Sequence, residues 1–137
     1  MVRQRRLFTL DEALEILPVV RELLRQIQAA KDGLDKSSAV LEALLAMTSA
    51  NGNLQADTDK ARHAAELAAM ELQDRIDELD GLGVDLKGIE DGLVDFPCER
   101  EGRVIYLCWR LGEETISWWH ELDTGFAGRQ RLDQGSV

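Results

Sequence analysis

The residues best suited to do chemistry are concentrated in one stretch, WWHELDTGFAGRQ, at 118–130. His120 and Asp123 supply an imidazole and a carboxylate, the ligand types that zinc, iron and manganese take in proteins. Asp95 and Glu113 are more distant carboxylates that the fold could bring close. One hypothesis is therefore a divalent transition metal as cofactor, with His120, Asp123 and Glu113 as its ligands.

Strand geometry determines whether His120 and Asp123 can bind the same metal. Side chains alternate between the two faces of a strand, so His120 and Asp123 would point to opposite faces of a continuous strand. They converge only if the chain turns at residues 122–124, which the Asp-Thr-Gly sequence favours. The alternative is that His120 is hydrogen-bonded to an acid at the edge of a sheet and binds no metal.

Ionisable residues are interleaved with aromatic ones only in this C-terminal part of the chain. Charged side chains seldom lie among large aromatic rings unless they pair with one another. We predict a charged binding pocket at one edge of a sheet, formed by Asp95, Arg110, His120, Asp123 and Arg129 and walled by Trp109 and Trp119. Without ligand, Arg129 should pair with one of the two aspartates, and His120 should hydrogen-bond an acid or a carbonyl.

The same region contains residues suited to two other chemistries. Gly125, Gly128 and Arg129 could present backbone amides and a guanidinium to a carboxylate or phosphate, although the stretch lacks a complete phosphate-loop or dinucleotide motif. Alternatively, these glycines only make turns and Arg129 forms an ion pair. Cys108 lies within the apolar run YLCWR, which favours a buried thiol that behaves as a small hydrophobic group and not as a nucleophile.

Composition excludes several classes of partner. The chain has 137 residues, with 16 basic against 26 acidic residues and a formal net charge of −10. This balance argues against nucleic acid, whose affinity comes largely from phosphate neutralisation, and equally against an anionic membrane surface. No apolar run approaches the roughly 18–20 residues of a spanning helix. Two cysteines are too few for a disulfide framework, so we expect a cytoplasmic protein.

The first half of the chain carries a helical pattern. Thr9 and Glu12 form a capping box that predicts the start of a helix. Apolar residues then recur at alternating spacings of three and four, as in a coiled coil, at Leu10, Ala13, Leu17, Val20, Leu24 and Ile27. The same register continues to Leu45, so the helix either crosses Gly33 or breaks there. Pro18 predicts a kink within the helix and not its end.

The second half changes character. A loop around Asn51-Gly52 is followed by a second helix at about 57–79, and then by glycine-rich sequence. GRVIYLCWRLGEETISWWHEL, at 102–122, predicts two strands around a turn at Gly112-Glu113, the first of them central because both its faces are apolar. The predicted fold is α+β within one domain, 1–137. A long antiparallel, coiled-coil-like helical hairpin at 8–82 is followed by a small, mainly antiparallel sheet at 83–137.

The two ends of the chain resemble a known family. FTLDEALEILP and GLVDFPCEREGRVIYLCWRLGEETISWWHELDTGFAGRQRL are similar to the ends of the uncharacterised prokaryotic domain-of-unknown-function 2203 family. Its pattern has an FTL-x-EA helix start, then D-F-P, G-R, L-C-W-x-x-G-E, W-H and D-x-G-F-A-G-R, and all are present here in order. The resemblance implies no activity, because the family has none established. Cys98 stands where the family has a small residue.

These observations lead to two functional hypotheses. The first is a cytoplasmic binding or interaction module, which forms a homodimer through its helices and has a small polar pocket on its sheet. The alternative is a metal-dependent, hydrolytic enzyme that uses His120 with Asp123 and either Asp95 or Glu113.

Overall fold

The computed structural model describes residues 6–48 and 54–132. Helix α1 spans Leu10–Thr48 and helix α2 spans Gln55–Gly81. Five strands follow: β1 (Asp85–Gly88), β2 (Leu93–Arg100), β3 (Arg103–Arg110), β4 (Trp118–His120) and β5 (Gln130–Arg131). The fold is α+β, a helical hairpin followed by an antiparallel sheet, which confirms the predicted class.

Helix α1 begins at the predicted capping box. The Thr9 amide donates to Glu12 Oε1 at 2.9 Å, and the Glu12 amide donates to Thr9 Oγ1 at 3.1 Å. The hydrogen bond from the Thr9 amide, followed by an interaction with the Thr9 hydroxyl, lowers the pKa of the Glu12 carboxyl. The helix continues without a break through Pro18 and Gly33, so the apolar stripe belongs to one element.

Helix α2 begins two residues earlier than the sequence predicts. The Gln55 side chain donates to Asp59 Oδ1 at 2.9 Å, and the Thr58 hydroxyl donates to the Leu54 carbonyl at 2.8 Å. These bonds between residues four apart support the first turn of the helix. The predicted turn at Asn51-Gly52 lies outside the described residues.

The chain divides into two compact units, 1–25 with 77–137, and 26–76. The first unit contains the start of α1, the end of α2 and the sheet. Its buried residues include Leu17, Val20 and Leu24 of the predicted stripe. Phe8, directly before α1, packs edge-on against Phe96 of β2 with ring centroids 5.4 Å apart. The second unit consists of the remaining lengths of the two helices.

The strands follow one another in the order β1-β2-β3-β4-β5, so β3 is the central strand. Residues 105–109 of β3 are all buried, as the apolar character of both faces predicts. Glu101 and Gly102 make the tight turn between β2 and β3, both with positive φ (51° and 79°). A longer connection, 111–117, joins β3 to β4, with Gly112 at φ 106°.

The strand register assigns the side chains to the two faces of the sheet. Residues directly opposite each other in an antiparallel pair share a face. Asp95 lies opposite Cys108, and Tyr106 lies opposite His120, two positions from Cys108. One face of the sheet therefore carries Asp95, Cys108 and His120 on three adjacent strands.

Candidate metal centre

Three potential metal ligands meet on this face of the sheet. Asp95 comes from β2, Cys108 from β3 and His120 from β4. One ligand atom from each, a carboxylate oxygen, the thiol sulfur and a ring nitrogen, lies within 4.8 Å of the other two. The exposed fractions of Asp95 and His120 are 2% each, and Cys108 is completely buried.

The orientation of His120 is fixed at both ring nitrogens. Nδ1 lies 2.7 Å from the Glu121 carbonyl oxygen, and because a carbonyl only accepts, Nδ1 carries a hydrogen and donates it. Nε2 lies 3.0 Å from both carboxylate oxygens of Asp95. A contact this short between two acceptors needs a proton between them, so Asp95 and Nε2 share one. Nε2 is thus the nitrogen that faces the cluster.

Burial dominates the electrostatics of the other two residues. Desolvation raises the pKa of the Asp95 carboxyl, and His120 acts against this rise. Desolvation, followed by the charge of Asp95, raises the pKa of the Cys108 thiol to about 12. When no metal is bound, Cys108 is therefore a protonated, buried thiol at neutral pH. A protonated thiol is not suited to act as a nucleophile.

Glu113 lies outside this trio. Its two carboxylate oxygens are each 2.8 Å from Arg129 Nη2, and Oε1 also accepts from the Arg110 backbone amide at 2.7 Å. Arg129 therefore pairs with Glu113 and not with Asp95 or Asp123, which corrects the expected pairing. Arg129 pairs with Glu113 because the β3–β4 connection folds the Glu113 side chain back over the end of β3, where it accepts from the Arg110 amide.

The structure does not bring every predicted pocket residue together. Asp123 is exposed, in a turn in which the Thr124 amide donates to the Glu121 carbonyl. Trp109 lies opposite Val94 and Trp119 opposite Leu107, so the register puts both tryptophans on the other face of the sheet. They do not wall the cluster, because side chains alternate along a strand.

The ring beside the cluster is Tyr106. Its centroid lies 5.4 Å from that of His120, and the Lys87 ammonium lies 4.6 Å from the Tyr106 centroid. Arg110 is exposed, with its guanidinium 5.6 Å from the Phe126 centroid. Of the predicted pocket, the structure therefore joins Asp95 directly to His120, while Arg110 and Arg129 belong to a neighbouring group.

Sequence reasoning missed Cys108 as a potential ligand. It treated the thiol only as a nucleophile or a core residue. One signal was available, because Asp95 is an acid within the otherwise apolar run LVDFPC, and a buried carboxylate requires polar partners. The turn at Glu101-Gly102 would then have placed Cys108 opposite it.

The fold and the site together define an α+β protein in which a helical hairpin precedes a sheet with a buried Asp–Cys–His cluster. The family model described as "Uncharacterized conserved protein (DUF2203)" matches residues 6–132, so the chain belongs to this family. The match confirms the resemblance seen in the sequence. No curated protein and no solved structure matches the chain. Within the described residues, neither helix has an apolar stretch long enough to cross a membrane.

Proposed function

We propose that this protein is a metal-binding module that holds a divalent transition metal, Zn²⁺ by its ligand chemistry, with Asp95, Cys108 and His120. The orientation of His120 carries the proposal. Metal-bound histidines commonly donate their second ring N–H to a backbone carbonyl, which fixes the tautomer and aims the free nitrogen at the metal. His120 already has this arrangement, through the bond between Nδ1 and the Glu121 carbonyl.

The donor set supports zinc over harder cations. Imidazole nitrogen, thiolate sulfur and carboxylate oxygen are all zinc ligands, whereas magnesium and calcium take oxygen ligands. A bound cation would take the place of the proton shared by Asp95 and His120. It would also deprotonate Cys108, because a coordinating thiol loses its proton. Binding is therefore accompanied by proton release.

The burial of the cluster favours a binding module over an enzyme. All three side chains are closed off from solvent, so no substrate reaches them in this conformation. One observation favours the alternative, a metal-dependent hydrolytic enzyme. Three protein ligands leave a fourth position open, as in catalytic zinc sites. Hydrolysis of activated ester and phosphoester probes by the zinc-loaded protein, lost in His120→Ala, would support the enzyme.

Calorimetric titration of chelator-treated protein with Zn²⁺ tests the metal site. We expect one Zn²⁺ per chain, with affinity reduced at least 100-fold in Cys108→Ser because the thiolate ligand is lost. Cys98→Ser is the matched control, since Cys98 is also a buried free thiol but lies on the opposite face of the sheet. Equal zinc affinity in the two serine variants, or no binding by the unmodified chain, would contradict the proposal.

We also propose that the chain forms a homodimer through the second unit, 26–76. The described residues of this unit include one buried hydrophobic residue, Ile27, but five large hydrophobic side chains that are exposed: Val40, Leu45, Met47, Leu67 and Met70. Pairing two helical hairpins into a four-helix bundle would bury part of this apolar surface. Both cysteines are free thiols, which fits the reducing cytoplasm that we propose as its location.

Light scattering at tens of micromolar tests the dimer. We expect twice the 15.3 kDa mass of the chain, and a shift to the single mass in the double variant Leu67→Glu/Met70→Glu. Ala69→Glu adds a charge to an exposed position of the same helix that does not share the face of Leu67 and Met70, and serves as the control, with no loss of the dimer expected. A mass of 15.3 kDa for the unmodified protein would rule the dimer out.

A further inference from the structure

Three arginines and two aromatic rings alternate beside the β4–β5 pair. The Arg129 guanidinium carbon lies 4.6 Å from the Phe126 ring centroid and 4.9 Å from the Trp118 ring centroid. Arg110 lies 5.6 Å from Phe126, and Arg131 lies 5.6 Å from Trp118. We call these five residues, Arg110, Trp118, Phe126, Arg129 and Arg131, the arginine–aromatic cluster.

The charges of this cluster are not balanced within the described residues. Glu113 pairs with Arg129, whose side chain is only 11% exposed. Arg110 and Arg131 are exposed, and no described carboxylate forms an ion pair with either. By contrast, Arg62, Arg75 and Arg103 all have carboxylate partners. Among residues 6–48 and 54–132, the two positive charges of Arg110 and Arg131 thus have no ion-pair partner, on a chain with a net charge of −10.

Arg110 and Arg131 are exposed, with guanidinium carbons 5.6 Å from the nearest ring centroids, so solvent and ligands can reach their N–H groups. A guanidinium that stacks on a ring uses its flat face, while its N–H groups project from its edge. Because both contacted rings already have an arginine on them, recognition here depends on charge and hydrogen bonding.

The strand register limits the size of the ligand. Arg131 lies opposite Trp118, which lies opposite Cys108, and Arg110 follows Cys108 by two positions on the same face. Their backbones are two strands apart across the sheet and two residues apart along it, about 12 Å in all, so two arginine side chains can reach a single small ligand between them. Phosphate and carboxylate groups match the guanidinium fork.

We infer that the arginine–aromatic cluster is a binding site for a small polyvalent oxyanion, a molecule with phosphate or carboxylate groups, held by Arg110 and Arg131. Arg129 and Glu113 act as its scaffold, since their ion pair fixes the guanidinium that lies between the two rings. This site shares no residue with the proposed metal ligands, although Trp118 lies opposite Cys108, and it does not require a bound metal.

Calorimetric titration of metal-free protein with inorganic pyrophosphate, at low ionic strength, tests the site independently of zinc. We expect saturable binding, weakened about ten-fold or more in Arg110→Gln and in Arg131→Gln, because each removes charged hydrogen bonds to the anion. Arg62→Gln removes the same charge from an exposed position of α2 and should change the affinity less than two-fold.

A parallel titration with citrate distinguishes the two anion types. Binding of pyrophosphate alone assigns the site to phosphates, binding of citrate alone assigns it to carboxylates, and either result supports the inference. The inference is overturned if neither anion binds saturably, or if Arg62→Gln weakens binding as much as Arg131→Gln does. Binding of an acidic peptide without binding of either small anion would also overturn it.

Discussion

Replacing Asp95 by alanine or by asparagine in metal-free protein tests whether a shared proton between Asp95 and His120 stabilises the fold. Asp95 and His120 are each 2% exposed, and His120 Nε2 has the two Asp95 oxygens as its partners at 3.0 Å. Asp95→Ala strands the buried imidazole, and breaking a buried pair in this way costs about 3–5 kcal/mol. This is a large part of the roughly 5–15 kcal/mol that stabilises a typical domain.

Asp95→Asn should reduce the free energy of unfolding far less, because an amide N–H can replace the proton that Asp95 shares with His120. The asparagine amide can donate to His120 Nε2, while Nδ1 continues to donate to the Glu121 carbonyl. Exchanging one hydrogen bond for another of similar geometry costs about 1 kcal/mol. The variant also removes a carboxyl whose pKa is raised by burial, which offsets part of the loss.

Urea unfolding of both variants with a chelator present measures these costs, and equal m-values would show that the transitions can be compared. The reasoning predicts that the alanine variant loses at least twice as much unfolding free energy as the asparagine variant. Equal losses would refute the shared-proton arrangement. Losses below about 1 kcal/mol in both would show that the pair contributes little to stability.

Three further predictions follow from the fold. The double variant Leu17→Ala/Leu24→Ala removes two buried side chains at about 2–5 kcal/mol each and should abolish the cooperative melt in calorimetry; a transition that remains sharp would contradict this. Thr9→Ala should cost about 1 kcal/mol in urea unfolding at pH 7, since it removes a helix cap. Because the folded-state pKa of the Glu12 carboxyl is lowered, the stabilising effect of Glu12 is present above the ordinary pKa of 4.5 and is lost as pH falls through the lowered pKa, so the stability defect of Glu12→Ala should shrink in acid. Glu101→Asn should raise the melting temperature, because asparagine tolerates the positive φ of this turn better than glutamate does, and a lower melting temperature would contradict this.

The sequence predicts the helices and strands of this fold better than it predicts the register between the strands. The capping box at Thr9 and the stripe that includes Leu17 and Leu24 are local patterns, and each follows from the geometry of a single helix. The central position of β3 likewise follows from apolar residues on both of its faces. These predictions are confirmed because no distant part of the chain is needed to make them.

Which residues meet at the site depends on the register of two strand pairs, β2–β3 and β3–β4. The β2–β3 pairing is set by a two-residue turn, so the opposition of Asp95 and Cys108 can be counted outwards from Glu101 and Gly102. The β3–β4 pairing spans the irregular connection 111–117, and no local rule fixes the register across it. For this reason the placement of His120 beside Asp95 required the structure.

The absorption spectrum of the Co²⁺-substituted protein tests the metal site most directly, because cobalt takes zinc-like geometry and reports its ligands. We expect one Co²⁺ per chain with an intense thiolate-to-cobalt charge-transfer band, present in Cys98→Ser and lost in Cys108→Ser. A weak spectrum without a sulfur band, or a band that persists in Cys108→Ser, would contradict the claim that Asp95, Cys108 and His120 hold a metal.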